Sequence, residues 1–297
     1  MDYAASHTKG VTLCYLITPL RGYVVFLEFD TKAIGLRRFA AWVLGIGIYS
    51  LFRRLRRFAA SYPYTMKLFY GKIDNNSVTI ADDDRQHIVK VLRMRGGDRI
   101  AVTDGLGNLA HGHLILEGKK VLFEPESIER NLPAFPLYVH LAIAPTKNID
   151  RTEFFIEKAT ELGVSEISFL MTEKTERKHL NIEKIQKQVI AASKQSLRFH
   201  FPKVNDPARF DHFINTVDSA TTYVAHCHES LQRLPLNAIE PAERISFLVG
   251  PEGDFSTGEI ELLAERNITA VSLGSQRLRT ETAGVFLAAW SYNLMNG

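Results

Sequence analysis

The stretch FLVGPEGDFSTGEI, Phe247–Ile260, reads as an apolar strand, a tight turn and the start of a helix. Phe247, Leu248 and Val249 form the short apolar run of a buried strand. Gly250-Pro251-Glu252-Gly253-Asp254 breaks it, glycine giving backbone freedom and proline a fixed φ. Ser256 and Glu259 then stand at capping-box spacing, which fixes the first helical turn. A turn framed this firmly lies where open α/β sheets bind ligands, beyond the carboxyl end of a strand. An ordinary strand-to-helix connection would occupy the same place. The turn has no lysine for a phosphate and no serine where a hydrolase needs its nucleophile.

The same grammar surrounds it. LYVHLAIA (137–144), SEISFLM (165–171), TTYVAHC (221–227), ISFLVG (245–250) and TAVSLG (269–274) read as buried strands. Helices are expected over 150–163, closed by Gly163, and over 181–198, where the pattern is amphipathic. Such alternation predicts a mainly parallel sheet with helices on both faces. Upstream, residues 68–130 carry short strands around Asp104-Gly105, interrupted by a helix over 82–94 with aspartates at its positive end. This predicts a small β-barrel, with NLPAFP (131–136) as linker. His87, Lys90 and Arg93, three residues apart, are expected on one face of that helix, either solvated or against RNA.

With 297 residues the chain has room for about two domains. Its hydrophobic share of 45% supports a full core, which excludes a disordered chain. Cys14 and Cys227 make no disulfide framework, so a reducing, cytoplasmic setting is the default. The net charge of +3 is uneven: residues 1–65 hold nine Lys and Arg against three Asp and Glu, leaving 27 against 30 in the rest. Nucleic-acid binding by the body must therefore come from local patches. In residues 1–65 an apolar run from Phe39 to Phe52 lies between arginine clusters. It is shorter than the roughly 20 residues that span a bilayer. It suits an interfacial helix, or the segment is an extension upstream of a natural start at Met66.

Near the C-terminus, Gln276–Glu281 reads as a polar loop before an apolar helix from Ala283 to about Leu294, which wants burial. There is no dinucleotide fingerprint, no P-loop and no nucleophile elbow. His226 and His228 point the same way on a strand but lack a second ligand pair, so no metal is expected.

LVGPEGDFSTGEI, LGSQRLRTETA, KNIDRTEFFIEKATELGV, the KQSLR run and HIVKVLRMRGGD together resemble the motifs of the bacterial 16S rRNA uridine-N3 methyltransferases (RsmE type) of the SPOUT class. The resemblance covers Met66 to Gly297 and leaves residues 1–65 outside. It implies an α/β fold: a SPOUT-type parallel sheet with a C-terminal trefoil knot over 137–297, preceded by a small PUA-like RNA-binding β-barrel over 66–130. It implies S-adenosyl-L-methionine as cofactor, 16S rRNA of the small ribosomal subunit as substrate, a homodimer, and no membrane partner for residues 66–297. Arg279 and Glu281 are the expected catalytic residues, Arg279 facing charge on the uracil and Glu281 orienting it or taking a proton. Cofactor binding falls to Cys227, Val249, Gly250, Pro251, Glu252, Gly253, Leu273, Gly274, Leu278 and Thr280. RNA binding falls to His87, Lys90, Arg93, Arg95, Lys147, Arg151, Lys194 and Arg198, with Lys184 and Lys187 as further phosphate candidates. Two positions depart from the family pattern: Asp254 stands where a second glycine is usual, and Gln276-Arg277 replaces Arg-Ile. Two rival readings are a ribose 2′-O-methyltransferase of the same fold class, which usually carries an asparagine where this chain has RTETA, and a non-enzymatic RNA-binding protein.

Overall fold

A computed structural model divides the chain into two units, Met1–Tyr64 and Thr65–Gly297. It describes residues 18–20, 23–25, 66–75, 77–118, 120–228, 232–240 and 243–296. In the first unit β1 (Thr18–Leu20) and β2 (Tyr23–Val25) pair antiparallel. The interfacial helix expected over 39–52 lies outside the described residues. Among the described residues no helix is long and apolar enough to cross a membrane.

The second unit opens with β3 (Leu68–Ile73), β4 (Val78–Ile80), α1 (Asp82–Lys90), β5 (Arg99–Thr103), β6 (Leu109–Glu117) and β7 (Lys120–Glu129). The strands form one sheet in the order β4-β3-β5-β6-β7, antiparallel except for β3 with β5. Alternate residues turn inward, and Phe69, Ile80, Ile88, Val102, Leu114 and Phe123 form its core. α1 is shorter than expected. Val91 and Leu92 both donate to the His87 carbonyl, and Arg93 takes a left-handed φ of 48°. Arg93 therefore lies beyond the helix and does not share its face with His87 and Lys90.

The remainder alternates strand and helix. In order come β8 (Tyr138–Ile143), α2 (Ile149–Glu161), β9 (Glu166–Met171), α3 (Ile182–Gln195), β10 (Lys203–Val204), β11 (Ala208–Arg209) and α4 (Phe210–Ile214). Then follow β12 (Thr222–Ala225), β13 (Leu234–Pro235), β14 (Arg244–Val249), α5 (Thr257–Glu265), β15 (Thr269–Ser272) and α6 (Thr280–Asn296). All described pairings are parallel, in the order β10-β9-β8-β14-β12-β15-β13, with β11 also on β9. β14 lies between β8 and β12 and is buried on both faces, which explains its unbroken apolar run. Phe247 packs with Phe155 and Leu287 on one face, while Leu248 packs with Phe210, Phe255 and Leu263 on the other.

α6 starts earlier than expected: the Ala283 amide donates to the Arg279 carbonyl, so Thr280 and Glu281 belong to its first turn rather than to a loop. The helix packs tightly on α2. A Cβ on Gly284 would stand 2.6 Å from the Phe155 ring. This five-stranded sheet region is fastened to the parallel sheet region through α1 and α3, where Asp84 pairs with Lys194 and Asp83 with Lys187 at 3.1 Å. Tyr70 and Phe201 add a ring contact at 5.6 Å.

Candidate active site

The turn quoted first, the end of β12 and the segment before α6 converge on one cleft of about 350 Å³. Its walls include Cys227, Val249, Gly250, Pro251, Glu252, Leu273, Gly274, Leu278, Arg279 and Thr280. Of the expected cofactor residues, Gly253 alone is not on the wall; it lies behind the turn against the side chain of Lys174.

The turn is built by main-chain geometry. The Asp254 amide donates to the Pro251 carbonyl at 2.9 Å, closing a four-residue turn. A Cβ on Gly250 would stand 3.0 Å from the Phe255 ring, so a larger residue here would require that ring to shift by a few tenths of an ångström. The Glu252 side chain turns away to accept from the Lys147 amide at 2.9 Å. The amides of Glu252 and Gly253 have no acceptor among the described residues. The capping box is formed, with Ser256 and Glu259 bonding reciprocally. Asp254 takes a left-handed φ of 60°, and its carboxylate accepts from the Cys227 amide at 2.8 Å. The aspartate in place of a second glycine thus keeps the backbone shape and ties two walls together.

The opposite wall is held by Thr280, whose buried hydroxyl donates to the Gly250 carbonyl at 3.0 Å. This fixes the first turn of α6 against the strand-end glycine. Arg279 precedes it, exposed in the cleft, with no carboxylate partner among the described residues. His226, 5% exposed, also lines the cleft. Its Nδ1 accepts from the His228 amide, leaving Nε2 as a buried donor without a partner. Burial lowers its pKa, so the imidazole is neutral, although Asp254 opposes the shift. Neither His226 nor Arg277, which also lines the cleft, was singled out from sequence as a site residue. The order of residues at strand ends is the only signal that could have found them.

Other expected residues fall elsewhere. Glu281 is buried and faces Arg151, with Nε at 3.8 Å, rather than Arg279; its Oε2 has no partner. Orientation of Arg279 by Glu281 is therefore not made by direct contact here. His87, Lys90, Arg93 and Arg95 are exposed on the barrel. Lys147 is exposed and pairs with Glu176 at 2.8 Å. Lys194 is committed to Asp84. Lys184 pairs with Glu153. Arg198 is a correction: it is 9% exposed, stacks on Phe135 at 4.2 Å and donates to the Glu161 carbonyl at 3.0 Å. Burial lowers its pKa to about 10. Its guanidinium is engaged in packing within the protein rather than offered on an open basic face.

Residues 133–291 match the RNA methyltransferase domain family, and residues 80–125 match the RNA methyltransferase PUA domain family. The chain is 30% identical over 215 residues to the ribosomal RNA small subunit methyltransferase E of Rickettsia conorii, covering 71% of this chain and 88% of that one. A probable rRNA methyltransferase from Porphyromonas gingivalis superimposes with a TM-score of 0.72 at 33% identity, covering 78% of this chain and 99% of that one. The ribosomal RNA small subunit methyltransferase E of Neisseria gonorrhoeae, solved bound to S-adenosyl methionine, gives a TM-score of 0.69 at 28% identity, covering 77% and 98%. The fold is thus a PUA-like domain joined to a parallel-sheet α/β methyltransferase domain. The chain belongs to the RNA methyltransferase family that includes the ribosomal RNA small subunit methyltransferases E.

Proposed function

We propose that this chain transfers a methyl group from S-adenosylmethionine to N3 of a uridine in 16S rRNA of the small ribosomal subunit. The observation that carries this reading is the strand-end cleft: a glycine turn with the unclaimed Glu252 amide on one side and an unneutralised Arg279 on the other. The cleft volume suits a small cofactor, and its mix of apolar walls and a few polar groups is that of a ligand site. When bound, the cofactor supplies an electrophilic methyl group on a sulfonium. Val249, Leu273 and Leu278 offer apolar surface to it, and the unclaimed amide of Glu252, on the cleft wall, offers a donor.

Uracil N3 must lose its proton as it attacks, so negative charge spreads onto the carbonyl oxygens. The guanidinium of Arg279, whose backbone is anchored at the start of α6, stabilises that charge. Thr280 holds Arg279 and the Gly250 turn in one frame, which favours a near-attack geometry. Glu281, turned to Arg151, acts as an orienting group for the first turn of α6. The exposed barrel cations His87, Lys90, Arg93 and Arg95, with Lys147 and Arg151 near the sheet end, make the rRNA contacts. Such contacts position RNA without reading its sequence.

The same reading takes residues 1–65 as an extension, 66–130 as the barrel and 137–297 as the SPOUT methyltransferase domain, with the C-terminal segment threaded in a trefoil knot. It takes the working form as a homodimer in the cytoplasm. Exposed Phe154 on α2 and Phe286 and Tyr292 on the adjacent α6 support a self-association surface. The test is incorporation of labelled methyl from S-adenosylmethionine into 16S rRNA of small subunits that lack the modification. Incorporation is expected. Cofactor binding without incorporation would leave an RNA-binding role instead.

A further inference from the structure

We propose that Lys174 is a positioning residue for the cofactor turn, clamping it from the loop that follows β9. The proposal rests on the reading of the cleft as an S-adenosylmethionine site. The Lys174 stem crosses the back of the turn: a Cβ on Gly253 would stand 3.3 Å from its Cδ and 3.5 Å from its Cβ. Its ammonium donates to the Gly253 carbonyl and to the Phe255 carbonyl, each at 3.0 Å. These two carbonyls flank Asp254, the one residue of the turn in a left-handed conformation.

Lysine ammonium groups at a surface ordinarily reach for carboxylates or water. Among the described residues Lys174 has no ion-pair partner, although its sequence neighbours Glu173 and Glu176 are acids. Its donors go to main-chain oxygens instead, and charge-assisted bonds of this kind are stronger than neutral ones. The neighbouring residue adds to the same frame, since the Glu173 amide donates to Glu259 of the capping box at 2.8 Å. Arg177, three residues on, donates to the carbonyls of Thr146 and Lys147, and the Lys147 amide in turn holds Glu252. One loop therefore holds the turn from behind while Asp254 ties its front edge to Cys227. With both carbonyls bound by Lys174, the Glu252 and Gly253 amides are left without an internal acceptor among the described residues. Lys174 does not line the cleft, so its effect on the ligand passes through the turn.

The test compares the full chain with Lys174→Met and Lys174→Arg. S-adenosylmethionine affinity is read by calorimetry, steady-state constants on small ribosomal subunits, and thermal unfolding without ligand. Lys174→Met should weaken cofactor binding about tenfold and raise its KM by the same factor, with kcat within about twofold. Lys174→Arg should restore most of the affinity, because a guanidinium can serve both carbonyls. Unchanged affinity in Lys174→Met overturns the proposal. So does equal impairment of both variants accompanied by a lowered Tm, which marks a merely structural contact. If the unaltered chain itself fails to bind S-adenosylmethionine, the reading of the cleft is what fails, and the clamp falls with it.

Discussion

The two ends of the parallel sheet treat charge in opposite ways. At the amino end, Glu166 is 7% exposed and fully engaged: Tyr138 donates to it at 2.9 Å, Asn205 at 2.7 Å, Arg244 at 3.1 Å and Lys203 at 3.3 Å. Burial alone would raise its pKa, but the Asn205 bond, the His140 contact and the other donors bring it down to about 2. At the carboxyl end, Arg279, Arg277 and the amides of Glu252 and Gly253 have no such partners among the described residues. A buried group surrounded by partners contributes to folding and leaves nothing for a ligand. Polar groups gathered around a cleft and left unclaimed are what a ligand can complete.

The comparison breaks most directly at Arg279. Arg279→Ala should lower methyl transfer by about 10²–10³-fold, the usual loss for a charge-stabilising donor. Cofactor affinity should change by less than about threefold, because the role proposed for the residue is toward the uracil. Equal losses in both would place Arg279 in cofactor binding. At the other end, Glu166→Ala should cost on the order of 3 kcal/mol of stability, since it strips a buried anion from four donors. Urea denaturation would measure this, and S-adenosylmethionine affinity should stay unchanged.

The amino end also sets a pH dependence. His140 is buried, bonded to Ser168 at 2.8 Å, and burial lowers its pKa from 6.5 to about 4, with Glu166 opposing and Arg244 and Lys203 assisting. Between those values the unfolded chain binds a proton that the folded chain does not. Stability should therefore fall as the pH drops from 6.5 to 4, by on the order of 3 kcal/mol from this group. His140→Gln should flatten that stretch of the stability curve, and an unaltered slope would mean another group titrates. The smallest effect belongs to the barrel. Lys90→Ala and Arg93→Ala should each weaken rRNA binding a few-fold and reduce the salt slope by about one. A salt slope that does not move would remove that residue from the RNA face.

Much of the carboxyl end was legible in the sequence because its signals are local. An apolar strand, a glycine turn and a capping box stand within fourteen consecutive residues, Phe247–Ile260. The buried parallel strands were legible for the same reason, as short unbroken apolar runs. The Glu166 network was not, because its members come from the starts of four strands and from Asn205, as far as 78 residues from Glu166. Arg198 misled because a cation at the end of an amphipathic helix looks solvated until Phe135 covers it. The helical spacing of His87, Lys90 and Arg93 failed at its last member because Val91 and Leu92 both turn back to one carbonyl. Helix ends are set by such bonds, and periodicity does not reveal them.

The central claim is that the carboxyl-end cleft methylates uridine N3. It is tested most directly by incubating the protein and S-adenosylmethionine with small ribosomal subunits lacking the modification, then identifying the methylated nucleoside by mass spectrometry. The account predicts N3-methyluridine as the product. A ribose-methylated nucleoside, or no product from a chain that binds the cofactor, would contradict it.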